Sequence, residues 1–365
     1  MNQLATLLGQ LIAIPSATGE EAAILRNLEE RFASLSPGKA GVWSLQKTSG
    51  GLVVSSGVEG EKEARRPLVI LAGHVDTVAP QGAIGPKIIG GTLYGLGSSD
   101  MKSGLAVMTH LGLTLDIRSL PVRLALVYYT GEEGPFEQNG LGRLMNELPH
   151  LKDASLAILL EPTANAIELG CLGTMNIEVL FRGETCHSAR PWMGRSAVTA
   201  AVDWIREMSL RPSRDRIVEG LTFVETMAIT ILQSGTARNV IPGLLKANVN
   251  IRYAPDRDED SVLEEFSSTL PEEAEWNVID MAPPGRIDTG APTLREFLDI
   301  VDVPRRAKQG WTDVARFSAA GIPALNFGPG LPEYCHRKDE QIPLANLDES
   351  ARLLRRFLES AGCDY

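Results

Sequence analysis

No stretch of this chain approaches the roughly 20 consecutive apolar residues that a membrane span requires. Met1 to Pro15 contains no Lys or Arg and no long apolar core, so a secretory leader is not expected and a cytoplasmic protein is. Positive charge is also in short supply: the formal net charge is −11, which argues against nucleic acid or an anionic membrane surface as a partner. Cysteine is scarce. Cys171, Cys186, Cys335 and Cys363 show no C-x-x-C spacing, which excludes a zinc ribbon and a disulfide framework. What remains is ordinary for a globular enzyme, with 44% apolar and 22% charged residues in 365, long enough for two domains.

Four apolar runs stand out, at Leu68–Ala72, Leu124–Tyr129, Leu156–Leu160 and Ala324–Phe327. Continuous runs of this length, alternating with helical patterns, predict parallel strands buried on both faces. Helices are expected over Leu4–Ile14, Glu20–Phe32 with Thr18 as its cap, Lys102–Leu115 and Thr293–Ile300, and a polar connection over Ser55–Arg66. From about Gly173 the pattern changes. Met175, Ile177, Val179 and Phe181 alternate with polar residues, as do Ala247, Val249, Ile251 and Tyr253, the signature of an antiparallel sheet with one solvated face. Helical spacing in Ala197–Met208 and Val262–Leu270 adds two helices, the second started by the solvated acidic run Asp256–Asp260. The expected fold is therefore α/β: a discontinuous domain over 1–173 and 285–365 with a mostly parallel sheet, interrupted by an α+β, ferredoxin-like domain over 174–284.

Each parallel strand leads into a residue that binds metals: His74, Glu133, Glu161 and His336, with Asp100 following a Gly-rich loop and opening a helix. Ligands of open α/β sheets gather at the carboxyl ends of the strands, so these five residues are expected on one rim. A set of carboxylates and imidazoles without thiolate suits zinc, with cobalt or manganese as substitutes. His74 and Asp76 lie two apart, which makes Asp76 the natural orienter of the His74 ring. Asp100 can bridge two ions at a helix N-terminus. Glu132 and Glu133 are adjacent, so one can ligate while the other carries protons.

Other patterns carry less. His110 and His150 read as structural or solvent-facing, and Cys186 and Cys335 as small buried groups. Gly95-Leu96-Gly97 begins like a dinucleotide fingerprint, but Asp100 stands where a third Gly belongs and would repel a pyrophosphate. Ser99-Asp100-Met101-Lys102 lacks the companion motifs of penicillin-recognising serine enzymes.

The segments Gly73-His74-Val75-Asp76-Thr77-Val78, Gly97-Ser98-Ser99-Asp100-Met101-Lys102-Ser103-Gly104, Gly131-Glu132-Glu133-Gly134 and Glu161-Pro162-Thr163 resemble the acetylornithine deacetylase, succinyl-diaminopimelate desuccinylase and glutamate carboxypeptidase family of di-zinc hydrolases. The resemblance runs from Ile14-Pro15-Ser16 to Cys335-His336-Arg337. It is strongest toward the desuccinylase branch of actinobacterial type at His187-Ser188-Ala189-Arg190-Pro191-Trp192, Gly310-Trp311-Thr312-Asp313 and Asn326-Phe327-Gly328-Pro329-Gly330. It implies two zinc ions per subunit, His74 and Glu161 on one, Glu133 and His336 on the other, Asp100 between them, and Glu132 as general base. It also implies a homodimer in which His187 reaches the partner's site. Asn239 and Arg252 match positions that hold substrate, and Arg190, Gly310 and Thr312 are further candidates. The implied reaction is hydrolysis of N-succinyl-LL-2,6-diaminopimelate. Acetylornithine deacetylase or another N-acyl-amino-acid deacylase is the alternative, and Glu rather than Asp at position 161 fits the deacylase and carboxypeptidase branch.

Overall fold

The computed structural model describes residues 3–35, 43–57, 65–80, 82 and 85–361. Cys363 and most of the Ser55–Arg66 connection, residues 58–64, lie outside the described residues; Ser55 and Ser56 end a strand, Gly51–Ser56. The chain forms two compact units, Met1–Leu169 with Ile287–Arg306 and Arg316–Tyr365, and Gly170–Arg286 with Ala307–Ala315. The second unit therefore takes 307–315, which sequence pattern places with the first. The reason is hydrogen bonding: the Lys308 carbonyl accepts from Leu172 N–H at 3.3 Å, and the Gln309 amide bonds to the backbone of Thr222 and Val224.

The first unit is built on a sheet of eight strands among the described residues. Its middle holds the four apolar runs as parallel neighbours in the order Arg123–Tyr129, Leu68–His74, Ala154–Leu159 and Ala324–Asn326. All seven residues of Leu68–His74 are buried, which is why the run is continuously apolar rather than alternating. Outside them the pairing turns antiparallel, with Gly51–Ser56 against Arg123–Tyr129 and Ile167–Leu169 against Ala324–Asn326. The mixed α/β architecture follows the sequence pattern.

The helix Lys102–Thr114 is almost wholly buried, from Lys102 through Gly112 apart from His110. Gly104 lets it approach the strand that ends at Glu161. A Cβ there would stand 2.3 Å from the Leu160 carbonyl oxygen and 2.7 Å from Leu160 Cβ. Alanine favours a helix over glycine by about 1 kcal/mol, but a clash with backbone that cannot yield costs about 1–3 kcal/mol. Gly104→Ala is therefore expected to destabilise the protein, read as a lowered midpoint in chemical unfolding. A raised midpoint would show that the contact relaxes freely.

A small antiparallel sheet completes the unit, with Gln341–Pro343 paired to Thr92–Tyr94 and that strand to Lys87–Ile89. It brings the segment after His336 to the loop that leads to Asp100.

The second unit has the order of a ferredoxin-like sheet. Leu221–Ser234, Leu244–Tyr253, Gly173–Arg182 and Glu275–Ala282 are neighbours in that sequence, with Arg214–Val218 added at the edge. One face of the two inner strands, Met175, Ile177, Val179, Phe181, Ala247, Val249 and Ile251, packs on Ala201 and Trp204 of the helix Ala197–Leu210 and on Val262 and Phe266 of the helix Glu259–Ser267. Asp258 caps the latter by accepting from Ser261 N–H at 2.8 Å, so the acidic run is a helix start. Among the described residues no helix is long and apolar enough to cross a membrane.

Candidate metal centre

The strand Leu68–His74 delivers His74 at its carboxyl end, fully buried. The neighbouring strand Arg123–Tyr129 ends in Thr130 and Gly131, and Gly131 turns the chain at φ +71°, a region that costs a side chain energy but suits glycine. Glu132 and Glu133 follow. Glu161 is buried two residues beyond Ala154–Leu159. His336 sits in the loop after Ala324–Asn326, itself at φ +60°. Left-handed backbone costs a non-glycine residue about 1–2 kcal/mol.

These elements bring His74, Asp100 and Glu133 together, with one potential ligand atom from each lying within 4.8 Å of the others. Asp100 is central. Its Oδ1 lies 3.1 Å from His74 Nε2 and its Oδ2 lies 3.4 Å from His336 Nε2. His336 Nε2 is also 3.0 Å from Glu133 Oε1. The structure thus joins two carboxylates, Asp100 and Glu133, to two imidazoles, His74 and His336, with Glu161 at the end of the adjacent strand, and these donor types fit divalent cations. The electrostatics show the crowding. Burial would lower the His74 pKa, but the carboxylates of Asp100 and Asp76 outweigh it and raise it well above the ordinary value. The hydrogen bonds to Asp100 and Glu133 push His336 up to about 10. Burial works to raise the Asp100 pKa, and its bonds to His336 and His74 overcome this and hold it below the usual carboxylate range.

Asp76 differs from the sequence expectation. His74 Nδ1 bonds to the Asp76 backbone carbonyl at 3.0 Å, while the nearer carboxylate oxygen stands at 3.5 Å. The carboxylate instead accepts from Glu132 N–H at 3.1 Å, Glu133 N–H at 3.0 Å and the Thr18 hydroxyl at 3.0 Å. Asp76 thus holds the turn that carries the Glu pair. Thr18 is correspondingly not a helix cap; the cap position of Ala22–Ala33 is Glu21, with no side-chain bond. The charge of the Glu132 carboxylate acts on His74.

A sequence profile of the family described as Peptidase family M20/M25/M40 matches residues 70–360. The chain belongs to that family. It is 38% identical to a succinyl-diaminopimelate desuccinylase of Corynebacterium glutamicum, over 96% of this chain and 94% of the relative. Among solved structures it resembles the aminopeptidase PepT of Bacillus cereus, with a TM-score of 0.80 at 20% identity, covering 98% of this chain and 97% of that one. It also resembles a dinuclear metal-binding peptidase of the same family from Bacillus subtilis, with a TM-score of 0.71 at 14% identity over 98% and 96% of the two chains. The M20 fold and the resemblance read from the motifs are borne out.

In the second unit His187 and Asn239 come together. Cys186–His187 pairs with Val240–Ile241, and the Asn239 carbonyl accepts from Ser188 N–H at 2.9 Å. His187 Nδ1 accepts from Ala189 N–H at 3.0 Å, which leaves Nε2–H as the ring's donor, and the backbone N–H of the exposed Arg190 donates to the His187 carbonyl at 2.8 Å. Arg252 lies on Leu244–Tyr253 with its Nε donating to Asn250 Oδ1 at 3.0 Å. Thr312 is buried, its carbonyl 3.6 Å from Cys171 Sγ, and Gly310 is exposed. Cys186 and Cys335 are half-buried rather than buried.

Two residues escaped the sequence reading. Glu340 is buried, and burial pushes its carboxyl up to about 7 against the backbone N–H bonds that favour its charge. Lys102, also buried, donates to the Ile14 carbonyl at 2.7 Å, and burial lowers it to about 8. Lys102 stands inside the Asp100 motif, but nothing in the pattern assigns it a role, and nothing local marks Glu340.

Proposed function

We propose that the chain is a metal-dependent amide hydrolase that releases succinate from N-succinyl-LL-2,6-diaminopimelate in diaminopimelate and lysine biosynthesis. The observation that carries this reading is Asp100, whose two oxygens face two different imidazoles, the arrangement of a carboxylate shared between two ions. His74 and Glu161 would hold one zinc ion and Glu133 and His336 the other. Bound ions supply Lewis-acid polarisation of the amide carbonyl and acidify water at the site toward neutrality. Glu132 is the base: it takes the proton of the attacking water and returns it to the leaving amine. Asp76 fixes the turn that places Glu132 and Glu133. His187, with Nε2–H as donor, stabilises negative charge on the amide oxygen from the partner subunit of a cytoplasmic homodimer. Arg190, Asn239, Arg252, Gly310 and Thr312 hold the substrate, which carries three carboxylates and calls for cationic and amide partners. The desuccinylase reading is supported by the identity shared with the Corynebacterium glutamicum enzyme along nearly the whole chain.

The test compares zinc-loaded with chelated protein on N-succinyl-LL-2,6-diaminopimelate and on N-acetylornithine. Zinc-dependent turnover is expected, with kcat/KM favouring the succinyl substrate by about 100-fold or more, the discrimination a site gains by pairing a polar group its competitor lacks. Preference for the acetyl substrate would move the assignment to the deacetylase branch.

A further inference from the structure

We infer that Glu340 is a positioning residue for the shared carboxylate, holding the Gly95–Asp100 loop in the shape that presents Asp100 to metal before any ion arrives. This rests on the reading of Asp100 as a metal ligand. Glu340 immediately precedes Gln341–Pro343, whose antiparallel register places Gln341 opposite Tyr94. The ladder continues one step, with Gly95 N–H donating to the Glu340 carbonyl at 3.0 Å. That step sets the side chain under the loop. Oε2 accepts from Gly97 N–H at 2.7 Å, and Oε1 accepts from Ser99 N–H at 2.8 Å and from Asp100 N–H at 2.9 Å. A second tie runs back to the same strand, where the Ser99 hydroxyl donates to the Gln341 carbonyl at 2.7 Å while accepting from Leu331 N–H at 2.9 Å.

The chemistry of the nest is specific. Three converging N–H groups form a concavity for an acceptor-only group, and a buried carboxylate fills it. Without that acceptor three buried donors would turn toward one another, and the loop would open. A glutamine supplies one acceptor oxygen and sets an N–H₂ against one of the three donors, so shape is kept while the match is lost. Because Asp100 N–H is itself one of the three, any shift of the nest moves the carboxylate between His74 and His336. Residues that orient metal ligands in this way change metal affinity by about 10–100-fold when replaced.

The experiment is a Co2+ titration of chelated protein at pH 8, followed by the visible d–d absorption, for the parent, Glu340→Gln and Glu340→Asp. Folding is checked by near-ultraviolet circular dichroism. Glu340→Gln is expected to bind Co2+ about 10–100-fold more weakly with altered band intensities, and Glu340→Asp to recover part of the loss. A folded Glu340→Gln protein with parental affinity and spectrum would reduce Glu340 to a buttress and overturn the proposal. Amide hydrogen exchange on the unmutated, metal-free protein gives an answer that needs no variant. Gly97, Ser99 and Asp100 amides should exchange at least about 100-fold more slowly than in an unstructured chain; exchange at unprotected rates would overturn preorganisation. Asp100→Asn in the same titration separates this proposal from the reading beneath it, since parental Co2+ affinity there would remove the ligand assignment itself.

Discussion

Glu132→Gln should bind its full complement of metal and lose turnover by a factor of about 10²–10⁴ or more, the range associated with a positioned proton carrier. The substitution keeps side-chain shape and leaves the backbone untouched, so Glu132 N–H still donates to Asp76 at 3.1 Å and the turn is preserved. What is removed is the capacity to take and return a proton. Metal analysis of the purified variant together with kcat on the succinyl substrate decides the matter. Near-parental turnover in a metal-loaded sample would dismiss Glu132 as the base. Loss of metal instead of turnover would show that the two glutamates have exchanged roles, because Glu133 is the one whose oxygen stands 3.0 Å from His336.

Asp76→Ala should damage both stability and metal affinity, which separates it from Glu132→Gln. Asp76 is fully buried, and its carboxylate serves three donors. Removing it takes the acceptor from the part-buried Glu132 and Glu133 N–H groups, each costing about 1–3 kcal/mol where water cannot replace it, and from the exposed Thr18 hydroxyl, which water can satisfy. A net loss of about 2–5 kcal/mol in unfolding free energy is expected, together with metal affinity reduced about 10–100-fold. The pH dependence has a definite sign. The His74 imidazole and the two N–H bonds outweigh the effect of burial and hold the Asp76 pKa below the ordinary 3.8. Its contribution is therefore complete above the unfolded value and is lost as the pH falls through the folded one. Asp76→Asn keeps one acceptor and should fall between the parent and Asp76→Ala. A denaturant midpoint and a metal titration for Asp76→Ala that both match the parent would show that Asp76 supports neither the turn nor the ligand.

The sequence by itself determined the four parallel strands and the rim on which the metal-binding residue types end. A strand buried on both faces must be apolar throughout, as at Leu68–His74, so the burial is written locally in the residues. The same holds for the inner strands of the second unit, where Met175 to Phe181 alternate because one face meets helices and the other does not. Partnerships between distant segments left no such trace. Glu340 meets Asp100 across 240 residues and Thr18 meets Asp76 across 58, through single hydrogen bonds that impose no period on either segment. Residues 307–315 are placed in the second unit by bonds to remote segments, among them those to Leu172, Thr222, Val224 and Pro283. The edge strand Arg214–Val218 was illegible for a related reason. It has no buried face to pattern it, and its place comes from pairing with Leu221–Ser234 and from the bonds of Arg214 to Glu225 and Glu265. Burial writes itself into a sequence residue by residue, whereas a hydrogen bond between remote segments is decided only when the chain has folded and both groups need a partner away from water.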